Sequence, residues 1–304
     1  MTAIGFAVLA ALGFAWTNIL TQMGMKDSHI SSFTALFINL VGGTIALLIA
    51  VPLLGGLPHG EIDWRGVFYF TAAGLVTALA GQAALLAAIN RIGATRTACF
   101  VLADNIFAVI LGYLVLGQFI SLLSGIGILI LMAGAAAFVW ETAGASKQLQ
   151  VEPHSSSQAA IGIAMGVLSG LCFAGGGVLR GLGIALLPAA IVGATINIMA
   201  GLIAIFVYYA VTGKLRETVA VGPKRGTYLL LSGVANAVGT VGFILALKYG
   251  GTVAITTALK NTSPLITFAL AIPLLRRHER LSTRLGLLVG VVVIAAALIA
   301  LGRN

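Results

Sequence analysis

The sequence predicts an all-α integral membrane protein, with ten transmembrane helices laid out as two inverted repeats of five. Three observations predict it. Of the 304 residues 60% are apolar and only 8% are charged, with a mean hydropathy of +1.09; soluble domains run near a quarter charged. The apolar residues come in uninterrupted blocks close to the ~20 residues that cross a hydrocarbon core, without the short-strand alternation of a membrane barrel. The two halves of the chain also match one another at a shift of 158–160 positions, as an internal duplication requires.

Span 1 is expected over Ala3–Met23. It lacks a basic leading segment and is too long for a signal core, so it reads as a span and not a cleaved peptide. The next four run over Phe33–Leu54, Gly66–Ile89, Thr95–Leu116 and Ile120–Trp140. Glu141–Gln158 carries Lys147, Glu152, Pro153, His154 and three serines. With no apolar period it reads as a linker. The remaining spans are Ala159–Leu179, Ala185–Ala210, Gly226–Leu247, Thr252–Leu275 and Thr283–Leu301. Most connections are a few residues long, so consecutive spans are antiparallel neighbours. The expected organisation is therefore a first repeat at 1–140, a linker at 141–158 and a second repeat at 159–304.

The matches that carry the duplication keep nearly one offset. Ile38-Asn39 and Gly43 pair with Ile196-Asn197 and Gly201; Gly74 pairs with Gly233, Ala88 with Ala246 and Gly93 with Gly251. Five is an odd number, so the second copy enters the membrane from the opposite side. Such inverted repeats place a solute site near the bilayer midplane, at the repeat interface.

Net charge is +9. The loops after odd-numbered spans hold twelve Lys and Arg, among them Lys214, Arg216, Lys224 and Arg225. The opposite loops hold four: Arg65, Arg180, Lys248 and Arg303. The positive-inside rule then places both chain termini outside. The same rule explains the basic excess without nucleic acid. Cys99 and Cys172 fall in apolar runs and read as small packing residues. No Walker loop and no metal-spaced His/Cys cluster is visible, so no cofactor is expected. The four histidines (His29, His59, His154, His278) lie in loops and offer no intramembrane relay.

One lysine is out of place. Lys260 lies about nine residues into span 9, where a charge costs at least a few kcal/mol on the mildest scale. Asp104, about ten residues into span 4, is the acidic residue that lies within a span. At ~1.5 Å rise per residue both reach mid-bilayer. Asp104 with Lys260 suits the ammonium and carboxylate of a zwitterion, and a structural salt bridge is the alternative. Burial disfavours the ionised form of a carboxylate, which makes Asp104 the proton-coupling candidate.

Around the pair stand Asn105, Asn261, Thr262 and Ser263, with Gln82, Asn236, Asn39 and Asn197 in other spans. Each amide taken singly reads as helix glue, worth a kcal/mol or so; together they favour a polar cavity. Pro264 frees a carbonyl in span 9, as a gate or a packing kink. Trp16 is too deep for an interfacial belt, so it stacks on a solute or fills the core. Trp64 and Trp140 close their spans as interface anchors. Small residues at Gly162, Gly166, Gly170 and Ala174 permit close helix approach.

Ser263-Pro264-Leu265, then His278-Glu279-Arg280-Leu281-Ser282 and Gly286, resemble the proline and Gly-Glu-Arg-Leu-Thr-like turn of the ten-helix EamA-type branch of the drug/metabolite transporter superfamily. The similarity runs over nearly the whole chain in both copies. The first copy departs from it, with Asn105 near the proline position and Gln118 where glutamate is usual. The resemblance implies a multi-pass secondary transporter of the cell's inner (cytoplasmic) membrane, exporting amino acids or other small metabolites through a central cavity. It also implies cytosolic termini, opposite to the Lys/Arg count.

The expected function is thus export of amino acids or related small polar metabolites by alternating access, by a monomer or homodimer and not by an enzyme. A facilitator or exchanger of a nucleoside, sugar derivative or amine stands as the alternative. A channel-like structural subunit is disfavoured, because the polar residues cluster at mid-depth instead of lining a continuous stripe.

Overall fold

The computed structural model describes residues 3–25, 30–54, 62–144, 156–213, 215, 221–274 and, near the end, 290–291, 294–296, 298–299 and 301–302. Every regular element among them is helical, as backbone groups in hydrocarbon must be satisfied within their own segment. In order they are α1 (Ala3–Met25), α2 (Ser32–Leu53), α3 (Trp64–Leu75), a π-helical turn (Val76–Gly81) and α4 (Gln82–Ile92). Then follow α5 (Ala94–Val101), α6 (Asp104–Leu116), α7 (Leu122–Gly144) and α8 (Ser156–Leu186). The described part closes with α9 (Ala190–Val211), α10 (Pro223–Lys248), α11 (Val253–Lys260) and α12 (Ser263–Leu274).

Seven stretches among the described residues are long and apolar enough to cross a membrane, among them Trp64–Ile92, Arg96–Leu116 and Ser157–Leu186. The expected ninth span is present as two helices, α11 and α12, and α7 carries a shorter apolar stretch, Leu122–Ala137. Most of the tenth span, the His278–Ser282 turn with Gly286, and most of the expected linker lie outside the described residues.

Helix starts follow capping chemistry. The Ser31 hydroxyl accepts from the Thr34 N–H at 3.1 Å, the Asp63 carboxylate from Arg65 N–H at 2.8 Å, and the Thr252 hydroxyl from Ile255 N–H at 3.2 Å. Each satisfies a donor that the first turn leaves orphaned. Gly117, at φ 62°, ends α6 in the left-handed region that glycine enters at no steric cost. The next residue, Gln118, then accepts the Val253 N–H at 2.8 Å through its side-chain oxygen. The residue that departs from the family turn thus caps α11.

Two compact units make up the chain, and neither is a sequence half. One comprises Met1–Leu79 and Leu179–Gly251, the other Ala80–Val178 and Thr252–Asn304. In the first, α1 and α2 pack on α10, while α2 and α3 pack on α9. In the second, α5 packs on α4 and α7, and α11 lies against α6 and α7.

Apolar burial does not drive helices together in lipid, so close contact and hydrogen bonds must do it. The glycines show where. A Cβ on Gly233 in α10 would run into the Asn39 carbonyl oxygen of α2, and one on Gly74 in α3 into the Asn197 carbonyl oxygen of α9. Gly43 lies against the Gly233 carbonyl and Gly201 against the Gly74 carbonyl. Residues separated by 158–159 positions therefore make the same contacts with the partners exchanged. In the second unit Gly162, Gly166 and Gly170 of α8 seat against Ile92, Phe100 and the Asp104 N–H, which accounts for the small-residue spacing.

Candidate functional site

Two broken spans define the candidate site in the second unit. The helix around Arg96–Leu116 is interrupted at Leu102–Ala103, between α5 and α6; the ninth span is interrupted at Asn261–Thr262, between α11 and α12. The two breaks are separated by 159 positions, the offset that relates Gly74 to Gly233. Asp104 is the first residue of α6 and Lys260 the last of α11. A helix start favours an anion and a helix end a cation, so the backbone helps to hold each charge in place.

Lys260 Nζ donates to Asp104 Oδ2 at 3.2 Å, with side-chain exposures of 22% for the lysine and 1% for the aspartate. The Asn261 side-chain amide donates to Asp104 Oδ1 at 2.8 Å and to Asn105 Oδ1 at 3.2 Å. Asn105 in turn donates to the Leu102 carbonyl at 3.1 Å, and the Thr262 hydroxyl to the Leu259 carbonyl at 2.7 Å. Carbonyls released by the breaks are thus taken up locally. Both Asp104 oxygens are occupied, so the part of this network left open is the lysine side chain.

The structure brings together Asp104, Lys260, Asn105 and Asn261 as the sequence suggested. Ser263 begins α12 and is buried, and exposed Pro264 follows it in the first turn, where a missing N–H costs nothing. Gln82, half-buried at the start of α4, is in the same unit.

Asn39, Asn236, Asn197 and Trp16 belong to the first unit. Asn39 donates to Ser232 Oγ at 2.8 Å and accepts from Asn236 Nδ2 at 3.0 Å, while the Ser232 hydroxyl donates to the Leu229 carbonyl at 2.6 Å. Trp16 is 39% exposed and so is not core filling within the chain.

One charged residue escaped the reading of the sequence. In the expected layout the sixth span ends at Leu179 and Arg180 stands among the loop residues. In the structure α8 continues to Leu186 and Arg180 lies within it. Its Nη2 donates to Asn197 Oδ1 at 3.1 Å and to Thr77 Oγ1 at 3.4 Å, and its Cζ stands 5.7 Å from the centre of the Phe243 ring. The available signal was hydropathy: the apolar run resumes after Arg180 as Gly-Leu-Gly-Ile-Ala-Leu-Leu. Removing Arg180 from the loops leaves the Lys/Arg asymmetry larger than it was.

Apolar helices of spanning length, with a charged pair at the breaks of two of them, define a multi-pass α-helical membrane protein. Residues 1–140 match the model of the EamA-like transporter family, a family of the drug/metabolite transporter superfamily. The match falls on the part of the chain that holds Asn105 and Gln118, the residues that depart from the expected turn. No curated protein matches the sequence. One solved structure, described only as the crystal structure of a protein, shares the fold with a TM-score of 0.78 at 13% identity, covering 99% of this chain and 97% of its own.

Proposed function

We propose that the chain is a secondary active transporter of the cell's inner membrane that exports amino acids or related small polar metabolites by alternating access. The observation that carries the reading is the pair of in-register breaks in the second unit with Asp104 and Lys260 at their ends. Transporter sites are typically built at such discontinuous helices, whose termini and freed carbonyls face the solute. In this reading Lys260 and Asn261 meet the solute, Asp104 holds the lysine and carries the coupled proton, and Pro264 marks where the ninth span bends as a gate. Asn39 and Asn236 hold helices together. The partner-exchanged contacts of Asn39 with Gly233 and of Asn197 with Gly74 support ten spans in two inverted repeats, at 1–140 and 159–304.

A second reading rests on the saturation of Asp104. With 1% exposure and both oxygens bonded, the pair also suits a scaffold that clamps two broken spans in a facilitator or exchanger. Reconstituted vesicles separate the two. Uptake of amino acids, amines and nucleosides is measured with and without a pH gradient for the unaltered protein, Asp104→Asn and Lys260→Ala. Export coupled to protons predicts gradient-driven uptake of an amino acid that Asp104→Asn abolishes. It also predicts loss of uptake in Lys260→Ala with the melting temperature unchanged. A Lys260→Ala protein that no longer folds supports the clamp.

A further inference from the structure

We propose that Arg180 is a binding site for an oxyanion, the carboxylate or phosphate group of the transported solute, built into the first unit from α8, α9 and the π-helical turn. The proposal rests on the reading of the chain as a solute transporter and adds the charge of the group it carries.

The guanidinium lies deep. Thr77, its hydroxyl partner, is the fourteenth of the 29 residues in the span Trp64–Ile92. A charge at that depth is costly and is ordinarily paired with an opposite charge. Here its hydrogen-bond partners are a neutral amide and a hydroxyl, with an aromatic face alongside, and no carboxylate pairs with it among the described residues. Nε is enclosed and has no acceptor. Among the described residues no acceptor bonds Nη1, and the residue as a whole is only partly buried. A guanidinium keeps its charge under any ordinary condition, so the deficit is not relieved by losing a proton.

Packing does not require this arginine. Asn236 follows Thr77 by 159 positions, the offset of Gly74 and Gly233, and in the other copy it supplies the donor that Asn39 Oδ1 needs. The matching Asn197 Oδ1 takes its donor from Arg180. One copy thus does the work with a neutral amide, while the other uses a cation whose remaining donors are unspent. π-helical turns occur often at functional sites, and Thr77 lies in this one. The planar fork of a guanidinium matches the two oxygens of a carboxylate or phosphate.

Thermal unfolding of the full chain in phosphatidylcholine nanodiscs tests the site. The probes are acetate, inorganic phosphate, and leucine compared with leucinamide. Acetate, phosphate or leucine is expected to raise the melting temperature by ~2–4 °C at saturating concentration, leucinamide to do nothing, and Arg180→Gln to lose the shift. Arg180→Gln alone is expected to melt no lower than the unaltered protein, because an uncompensated charge has been removed. If it melts lower and keeps the anion shift, Arg180 is a structural cation and the proposal fails. Arg180→Lys, which keeps the charge without the fork, should retain a reduced shift; should Arg180→Gln not fold, an undiminished shift in Arg180→Lys and Thr77→Val together overturns the site. An Arg180-dependent shift produced by phosphatidylglycerol and by no soluble anion assigns the group to lipid and overturns the solute. Flux assays keep the two readings apart. Anion binding without flux leaves the site and removes the transporter. Leucinamide flux that survives Arg180→Gln, without anion binding, does the reverse.

Discussion

Two amides 158 positions apart, Asn39 and Asn197, serve different uses. Asn39 sits in a closed, neutral cluster: its nitrogen reaches Ser232, its oxygen receives Asn236, and Ser232 passes the bond on to the Leu229 carbonyl. Asn197 donates directly to the Phe70 carbonyl at 3.2 Å, which precedes Leu229 by 159 positions, and it receives Arg180. The residue matching Ser232 is Ala73, and the residue matching Asn236 is Thr77. The backbone frame is the same in both clusters. What differs is that one is satisfied by its own helices and the other is left with a charge and spare donors. Packing geometry is thus the same at both places, while the polar chemistry differs between them.

The comparison can be broken hardest at its glycines. Gly74→Ala and Gly233→Ala each force a Cβ into the carbonyl of the opposing asparagine, where overpacking costs ~1–3 kcal/mol. Both should lower the melting temperature in detergent by a similar amount, and a shift in only one would show that the two contacts are not equivalent. A smaller effect is expected from Asn39→Ala. It strips Asn236 and Ser232 of a partner, and interhelical hydrogen bonds in membranes average about 0.6 kcal/mol. Unfolding of Asn39→Ala, Asn236→Ala and the double variant should therefore give a non-additive cycle of that size. The smallest effect is expected from Thr77→Asn, which installs the amide of the closed cluster in the open one. Stability should change by less than about 0.5 kcal/mol, and Thr77→Asn combined with Arg180→Gln should melt at least as high as Arg180→Gln alone. A fall on combination would mean that Asn197 Oδ1 depends on the arginine itself.

Much of the candidate site was legible because the membrane makes polar residues conspicuous. Lys260 and Asp104 are anomalies against Thr252–Leu275 and Thr95–Leu116, and the cost of a lone charge in hydrocarbon implied that they would meet. They do, at 3.2 Å. Arg180 was missed for a related reason: a charge close to an expected boundary is indistinguishable, in a linear reading, from the boundary itself. The amides Asn39 and Asn236 were recognised, but their pairing was not, because it depends on which helices are neighbours.

By itself the sequence determined that the chain is helical and membrane-embedded, that residues of its two halves match near one offset, and which charges needed partners. Those features follow from solvation and periodicity, which are local. Only the tertiary structure decided that two spans break at matching points, that the compact units draw helices from both halves, and that Asn39 is satisfied where Arg180 is not. These depend on contacts between residues far apart in the chain. In lipid such contacts form by close approach and hydrogen bonding, because hydrophobic sorting, the signal most readily read from a sequence, no longer distinguishes one helix face from another.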